Sequence, residues 1–250
     1  MAGAQSVPSL TATVPDTAEP LRHTAVVRLT HWVTTLCFFA LLVSGIEILI
    51  SHPRFYWGET GSVLTPSLFD LPIPASRSSV HTGYDFVLPD QNGWSRSLHF
   101  QAAWIVVLTG GLYVISGLVT QHLKNHLLPT RADRSWRVLS KALASHLRLS
   151  QPVGADAGSY NVLQRWTYLC VIFVLFPLAI WTGMAMSPAI ASVVPAVVTV
   201  FGGQQSARTI HFFVSVSLVL FLLGHVVMVC RAGFMTRMRA MITGRAGEQS

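Results

Sequence analysis

Four stretches of the 250-residue chain are apolar for long enough to cross a membrane, and polar or turn-forming segments separate them. A bilayer core is about 30 Å thick, so a helix needs roughly 20 apolar residues to cross it. The four runs fall near residues 29–50, 98–120, 166–187 and 209–231. Without water in that layer, backbone N–H and C=O groups must pair within each segment, which calls for helices and not strands. The expected fold class is an all-α membrane protein, a four-transmembrane-helix bundle with interfacial amphipathic helices. One such helix is expected between the second and third runs. There Trp136, Leu139, Leu143 and Leu147 recur at helical spacing among Arg134, Arg137, Lys141 and Arg148. A second interfacial segment is expected between Pro188 and Pro195.

The segments between the runs set the domain plan. Residues 1–22 are rich in Ala, Thr, Ser and Pro with no apolar core, so they read as a flexible tail and not a cleaved signal peptide. Residues 23–250 read as a single domain with no internal repeat. The loop near 51–97 is long and rich in Pro, Gly and aromatics, including Phe55-Tyr56-Trp57-Gly58. Its aromatics argue for order. They suit either an interfacial belt or the docking of a partner on that side.

Composition agrees with a membrane class: 51% of residues are hydrophobic and 11% charged, against about a quarter charged in a soluble domain. The net charge of +7 matters for its placement. If the chain weaves through four spans, thirteen Lys and Arg residues lie on the side of the termini, and four (Arg54, Arg77, Arg96 and Arg208) on the other. By the positive-inside rule both termini are expected to be cytoplasmic. The basic excess thus reports topology, and nucleic-acid binding is not expected. Cys37, Cys170 and Cys230 all sit in apolar runs, without the close spacing of a disulfide framework, a zinc ribbon or a covalent haem attachment. They read as small packing residues.

Ten histidines are present. His23, His52, His81, His122, His126 and His146 fall in tails, loops or helix ends and read as solvated. His31, His99, His211 and His225 lie inside the apolar runs, where an imidazole is costly and points to function. His211 and His225 are 14 residues apart on one run, nearly four turns, so they share a face about 21 Å apart along the axis. In an up-and-down weave, His31 matches the depth of His225 near the cytoplasmic surface, and His99 matches His211 near the outer surface. Two bis-histidine pairs, one above the other, are a scheme for holding two b haems between facing helices. Gly45, Gly110, Gly111, Gly117, Gly183 and Gly224 would let a flat macrocycle or a neighbouring helix approach. Arg96 and Arg208 precede His99 and His211 by three residues, Arg28 precedes His31 by three, and Arg231 follows His225 by six. Such cations suit haem propionates, and they equally suit snorkelling at helix ends.

Several stretches resemble the bacterial di-haem cytochrome b subunits, cytochrome b561-like, that anchor formate dehydrogenase-N, nickel-iron hydrogenases and thiosulfate reductase. The nearest likeness is to the thiosulfate-reductase branch. They are Arg28-Leu29-Thr30-His31-Trp32, His52 to Glu59, Arg96-Ser97-Leu98-His99-Phe100, Tyr160 to Gln164, Thr182 to Pro188, and Gly202 to Phe212. The resemblance covers about residues 25–245. It implies the same haem ligands, His31, His99, His211 and His225. It also implies a quinone (ubiquinone or menaquinone) beside the cytoplasmic haem at Tyr160, Asn161 and Gln164. The capping alternative stands beside it: Asn161 suits a helix N-cap and Gln164 a capping box. The resemblance further implies a periplasmic redox partner, often of molybdopterin type. The loop with Trp57-Gly58-Glu59 departs from the formate dehydrogenase pattern and leaves that partner's identity open.

The expected function is electron transfer between the membrane quinone pool and a periplasmic oxidoreductase. The alternative is a stand-alone quinol-oxidising cytochrome b. No acid–base catalytic pair is evident. Whether the chain forms a homo-oligomer is left open. His122 and His126 match one histidine-box spacing, but a membrane di-iron enzyme needs several boxes. A transporter is disfavoured because Glu47 is the lone acid within the runs.

Overall fold

The computed structural model describes residues 23–62, 64–72, 91–121 and 162–244, with backbone alone for 91–92 and 162–165. The expected tail, the amphipathic helix near 134–148, and His81, His122, His126 and His146 lie outside the described residues. The chain is mostly helical: α1 (Ala25–Ser51), α2 (Gln91–Val119), α3 (Val162–Cys170), α4 (Phe176–Ala185), α5 (Pro188–Val193), α6 (Ala196–Thr199), α7 (Gln204–Arg231) and α8 (Phe234–Thr243). Four helical stretches are long and apolar enough to span a membrane: Ala25–Ser51, Gly93–Val119, Trp166–Ala185 and Gln204–Arg231. They coincide with the four runs read from the sequence, two of them ending one or two residues short, and the chain is a multi-pass membrane protein. Large apolar side chains such as Leu36, Leu108, Leu118 and Leu220 point outward and exposed, as a lipid-facing surface requires.

Local chemistry explains the helix details. Thr24 caps α1 by accepting the Val27 N–H at 3.4 Å. Several hydroxyls within the spans donate to the carbonyl one turn back, as Thr35 does to His31, which satisfies those donors within the helix. The third span is not a uniform α-helix. A π-helical segment, Val171–Leu175, joins α3 to α4, and Pro177 follows it. Proline lacks the N–H that would continue the ladder and its ring crowds the carbonyl four residues back. The wider π turn accommodates both, and the Phe176 N–H bonds to Val171 O, five residues back.

α1 packs along α2, and α4 along α7, while the backbones of the two pairs approach each other at few points. Side chains fill the space between. Phe176 reaches the cluster of Cys37, Ala102 and Val106, and Phe38 reaches the cluster of Val171, Val214 and Leu218. Cys37 is thus a packing residue as expected, whereas Cys170 and Cys230 are exposed.

The loop after α1 departs from an all-helical reading. Residues Arg54–Phe55 (β1) and Phe69–Asp70 (β2) form a short antiparallel ribbon with Arg54 opposite Asp70 and Phe55 opposite Phe69. Phe55 is 1% exposed. It stacks on Phe69 at 4.5 Å and meets Phe212 of α7 at 4.6 Å. The order expected from the aromatics is therefore present over 52–62 and 64–72. This end of the molecule is called the loop side below, and the end where α1 begins and α7 finishes the tail side.

Candidate functional site

The four intramembrane histidines meet in two pairs across the space between the helix pairs. On the tail side the rings of His31 (α1) and His225 (α7) have centroids 6.5 Å apart at 50°. On the loop side the rings of His99 (α2) and His211 (α7) are 6.3 Å apart at 61°. This is the pairing read from depth along the sequence. Among the described residues no three His, Cys, Asp or Glu converge on one point. Each pair therefore offers two imidazoles and no further protein ligand of those types.

The loop-side pair is held from behind. Ser44 Oγ lies 3.0 Å from His99 Nδ1, and Thr182 Oγ1 lies 2.9 Å from His211 Nδ1. Ser44 and Thr182 are fully buried. The next residue in each case is a glycine, and each histidine ring lies over it: a Cβ on Gly45 would sit 3.5 Å from His99 Cε1, and one on Gly183 3.6 Å from His211 Cε1. The other glycines noted in the sequence differ. A Cβ at Gly110, Gly111 or Gly224 would meet nothing within 4 Å.

The tail-side pair sits among aromatics. Phe221 stacks on His225 at 5.8 Å, Tyr168 meets it edge-on at 6.3 Å, and Trp32 meets His31 edge-on at 5.3 Å. The Nδ1 of His31 and the Nε of Arg28 are buried without a hydrogen-bond partner among the described residues. The short helix α8 folds back against this end. Arg28 Nη1 donates to Ile242 O at 2.6 Å, and Trp32 Nε1 to Met241 O at 3.1 Å. Sequence reasoning missed α8, because its contacts run through backbone carbonyls that no side-chain pattern announces.

The remaining candidates are placed differently. Arg208 is engaged by the loop: it donates to the His52 carbonyl, reaches Gln205 Oε1 at 3.5 Å, and covers the Phe55 ring at 5.1 Å. Arg96 is exposed one turn before His99. Tyr160 and Asn161 lie outside the described residues, and Gln164 is described as backbone within α3. The loop itself is pinned to the first turn of α7. Gly58 O accepts the N–H groups of Gln205 (3.0 Å) and Ser206 (3.2 Å), capping two otherwise free helix donors. Gly58 N–H donates to Ser206 Oγ at 2.7 Å, and Thr209 Oγ1 donates to Tyr56 O at 2.7 Å. These bonds fix the helical turn that presents His211.

The two helix pairs carry similar residues at matching positions. Arg96-Ser97-Leu98-His99-Phe100 on α2 corresponds to Arg208-Thr209-Ile210-His211-Phe212 on α7, and 14 residues further stand Tyr113 and His225. Arg28-Leu29-Thr30-His31 on α1 corresponds to Arg165-Trp166-Thr167-Tyr168 on α3. Ser44 follows His31 by 13 residues and Thr182 follows Tyr168 by 14, with the π-helical segment lying within the longer interval. Each helix pair carries a loop-side histidine met by a hydroxyl, and Tyr113 and Tyr168 stand at the positions that match the tail-side histidines.

Comparison with known proteins agrees with this architecture. The family model for prokaryotic cytochrome b561 matches residues 22–244. The chain is 26% identical over 212 residues to the "Putative protein-methionine-sulfoxide reductase subunit YedZ1" of Azospira oryzae, covering 83% of this chain and 89% of that protein. Four membrane-spanning helices, intramembrane histidine pairs and a family match over nearly the whole length lead to one assignment: the chain belongs to the prokaryotic cytochrome b561 family, and is a membrane electron-transfer protein that binds haem b.

Proposed function

We propose that the chain carries electrons across the membrane through two b haems, one held by His31 and His225 and the other by His99 and His211. The observation that carries this reading is the separation of the rings. Metal–imidazole bonds, as in zinc sites, are about 2.0–2.1 Å, and a ring nitrogen lies about 1.1 Å from the ring centre, so two imidazoles on opposite sides of one metal have centroids about 6.3 Å apart. The two pairs stand at 6.5 and 6.3 Å. A haem held by these histidines would supply a one-electron couple tuned by the protein groups around it.

The chain's residues supply position and polarity. His211 and His225 set a step of about 21 Å along α7, which spans most of the apolar layer. Arg28, with its buried Nε unpartnered, and Arg96 suit the carboxylates of a bound haem. Arg208 serves first to hold the loop. The excess of Arg and Lys on the tail side supports a cytoplasmic tail side, and the family suits a bacterial inner membrane. There Tyr160, Asn161 and Gln164, at the start of the third span, are placed in sequence to hydrogen-bond a quinone carbonyl and pass protons.

On the opposite face the pinned loop exposes Trp57, Leu64 and Leu68, a surface suited to a redox partner. The Azospira oryzae relative is named as a reductase subunit. By extension this chain serves a periplasmic oxidoreductase, of the molybdopterin type that the family resemblance implies.

The test is haem content and spectrum after single substitutions. His225→Ala is expected to retain the loop-side haem and lose the other, and His99→Ala the reverse. Retention of both haems in either variant would overturn the ligand scheme.

A further inference from the structure

We propose that Ser44 and Thr182 are positioning residues that fix the ring orientation and tautomer of His99 and His211 and lower the reduction potential of the loop-side site. This rests on the two-haem reading above.

A hydroxyl that bonds back to its own helix is ordinary in this chain; Thr30, Thr35 and Ser215 all do so. Ser44 and Thr182 differ by making a second contact. Ser44 Oγ–H donates to Ala40 O at 2.6 Å and Thr182 Oγ1–H to Leu178 O at 2.7 Å. Each hydroxyl proton is therefore committed, and the oxygen meets the imidazole as an acceptor, beside the Leu41 carbonyl at His99 and the Ala179 carbonyl at His211. That places the proton of His99 and of His211 on Nδ1 and leaves Nε2 as the nitrogen free to bind a metal.

An acceptor behind a ligating histidine fixes the ring and raises its basicity. A more basic ligand favours the oxidised metal, so the potential falls. The glycines are not the specific device, because a Cβ at either would make ordinary contact with the ring.

Two features argue against coincidence. The hydroxyl–glycine pair occurs on both helix pairs, as Ser44-Gly45 on α1 and Thr182-Gly183 on α4, each time against the histidine of the helix packed beside it. The tail-side pair lacks the device on at least one ligand, since His31 Nδ1 is buried with no partner among the described residues. The chain thus builds two bis-histidine pairs with different backing, which lets one protein hold two sites at separate potentials.

The test is an optical redox titration of the purified haem-loaded protein, with His99→Ala and His225→Ala assigning each midpoint to its site. In Ser44→Ala and Thr182→Val the loop-side midpoint is expected to rise while the tail-side midpoint stays put. Ser44→Thr and Thr182→Ser, which keep the hydroxyl, are expected to restore it. Loss of the loop-side haem in Ser44→Ala but not in Ser44→Thr would support the same role. An unchanged loop-side midpoint with both haems bound, or equal effects of Ser44→Ala and Ser44→Thr, would overturn the inference. A wild-type chain holding fewer than two haems would instead overturn the two-site reading on which it stands.

Discussion

Replacing Gly203 with alanine is expected to release the loop from the helix that carries two of the four intramembrane histidines. Gly203 precedes α7 with φ +127° and ψ +167°, a region open in practice to glycine alone, and another residue there costs about 1–3 kcal/mol. The added Cβ would also collide with the carbonyl group of Gly58 and the nitrogen of Glu59. Relief requires the two backbones to part, which breaks the bonds from Gln205 N–H and Ser206 N–H to Gly58 O and from Gly58 N–H to Ser206 Oγ. At about 1 kcal/mol net for each bond, docking weakens by about 3 kcal/mol. That is roughly a 100-fold fall in the docked-to-undocked ratio, at 1.4 kcal/mol per tenfold. Hydrogen–deuterium exchange of peptides over residues 55–62 and 203–209 reads this directly. Gly202 is the control. It too has a positive φ, of +75°, but its Cβ would meet nothing within 4 Å, so Gly202→Ala should leave the loop docked. Unchanged exchange in Gly203→Ala, or equal exchange in both variants, would refute the reasoning.

Thr209→Val removes the hydroxyl that donates to Tyr56 O in a buried setting. It is expected to cost about 1–3 kcal/mol, read as a lower thermal midpoint that Thr209→Ser recovers. Trp32→Phe removes the bond to Met241 O; exchange over residues 234–243 should quicken by roughly fivefold, for about 1 kcal/mol, with the spans unaffected. Asn161→Ala is expected to slow haem reduction by quinol at unchanged haem content, and unaltered stopped-flow kinetics would place the quinone elsewhere.

Hydropathy made the spans legible because lipid leaves the backbone few alternatives. The histidine pairs followed from depth alone, since a 14-residue spacing on one helix can face only partners at two levels. The likeness between the two helix pairs is faint in sequence for a physical reason: they share Arg, a hydroxyl residue and Gly, but Tyr168 stands where the other has a histidine, and the intervals to the hydroxyl are 14 and 13 residues. Ser44 and Thr182 looked like ordinary helix hydroxyls, because their second contact is to another helix. Arg208 suited a propionate or the membrane surface in the sequence, because the His52 carbonyl that engages it carries no signature in side-chain type.

Haem stoichiometry and a resolved redox titration of the purified membrane protein test the central claim most directly. Two b haems per chain, with two separable midpoints of which His225→Ala removes one and His99→Ala the other, are the expected result. A single haem, or none, would contradict the two-pair account.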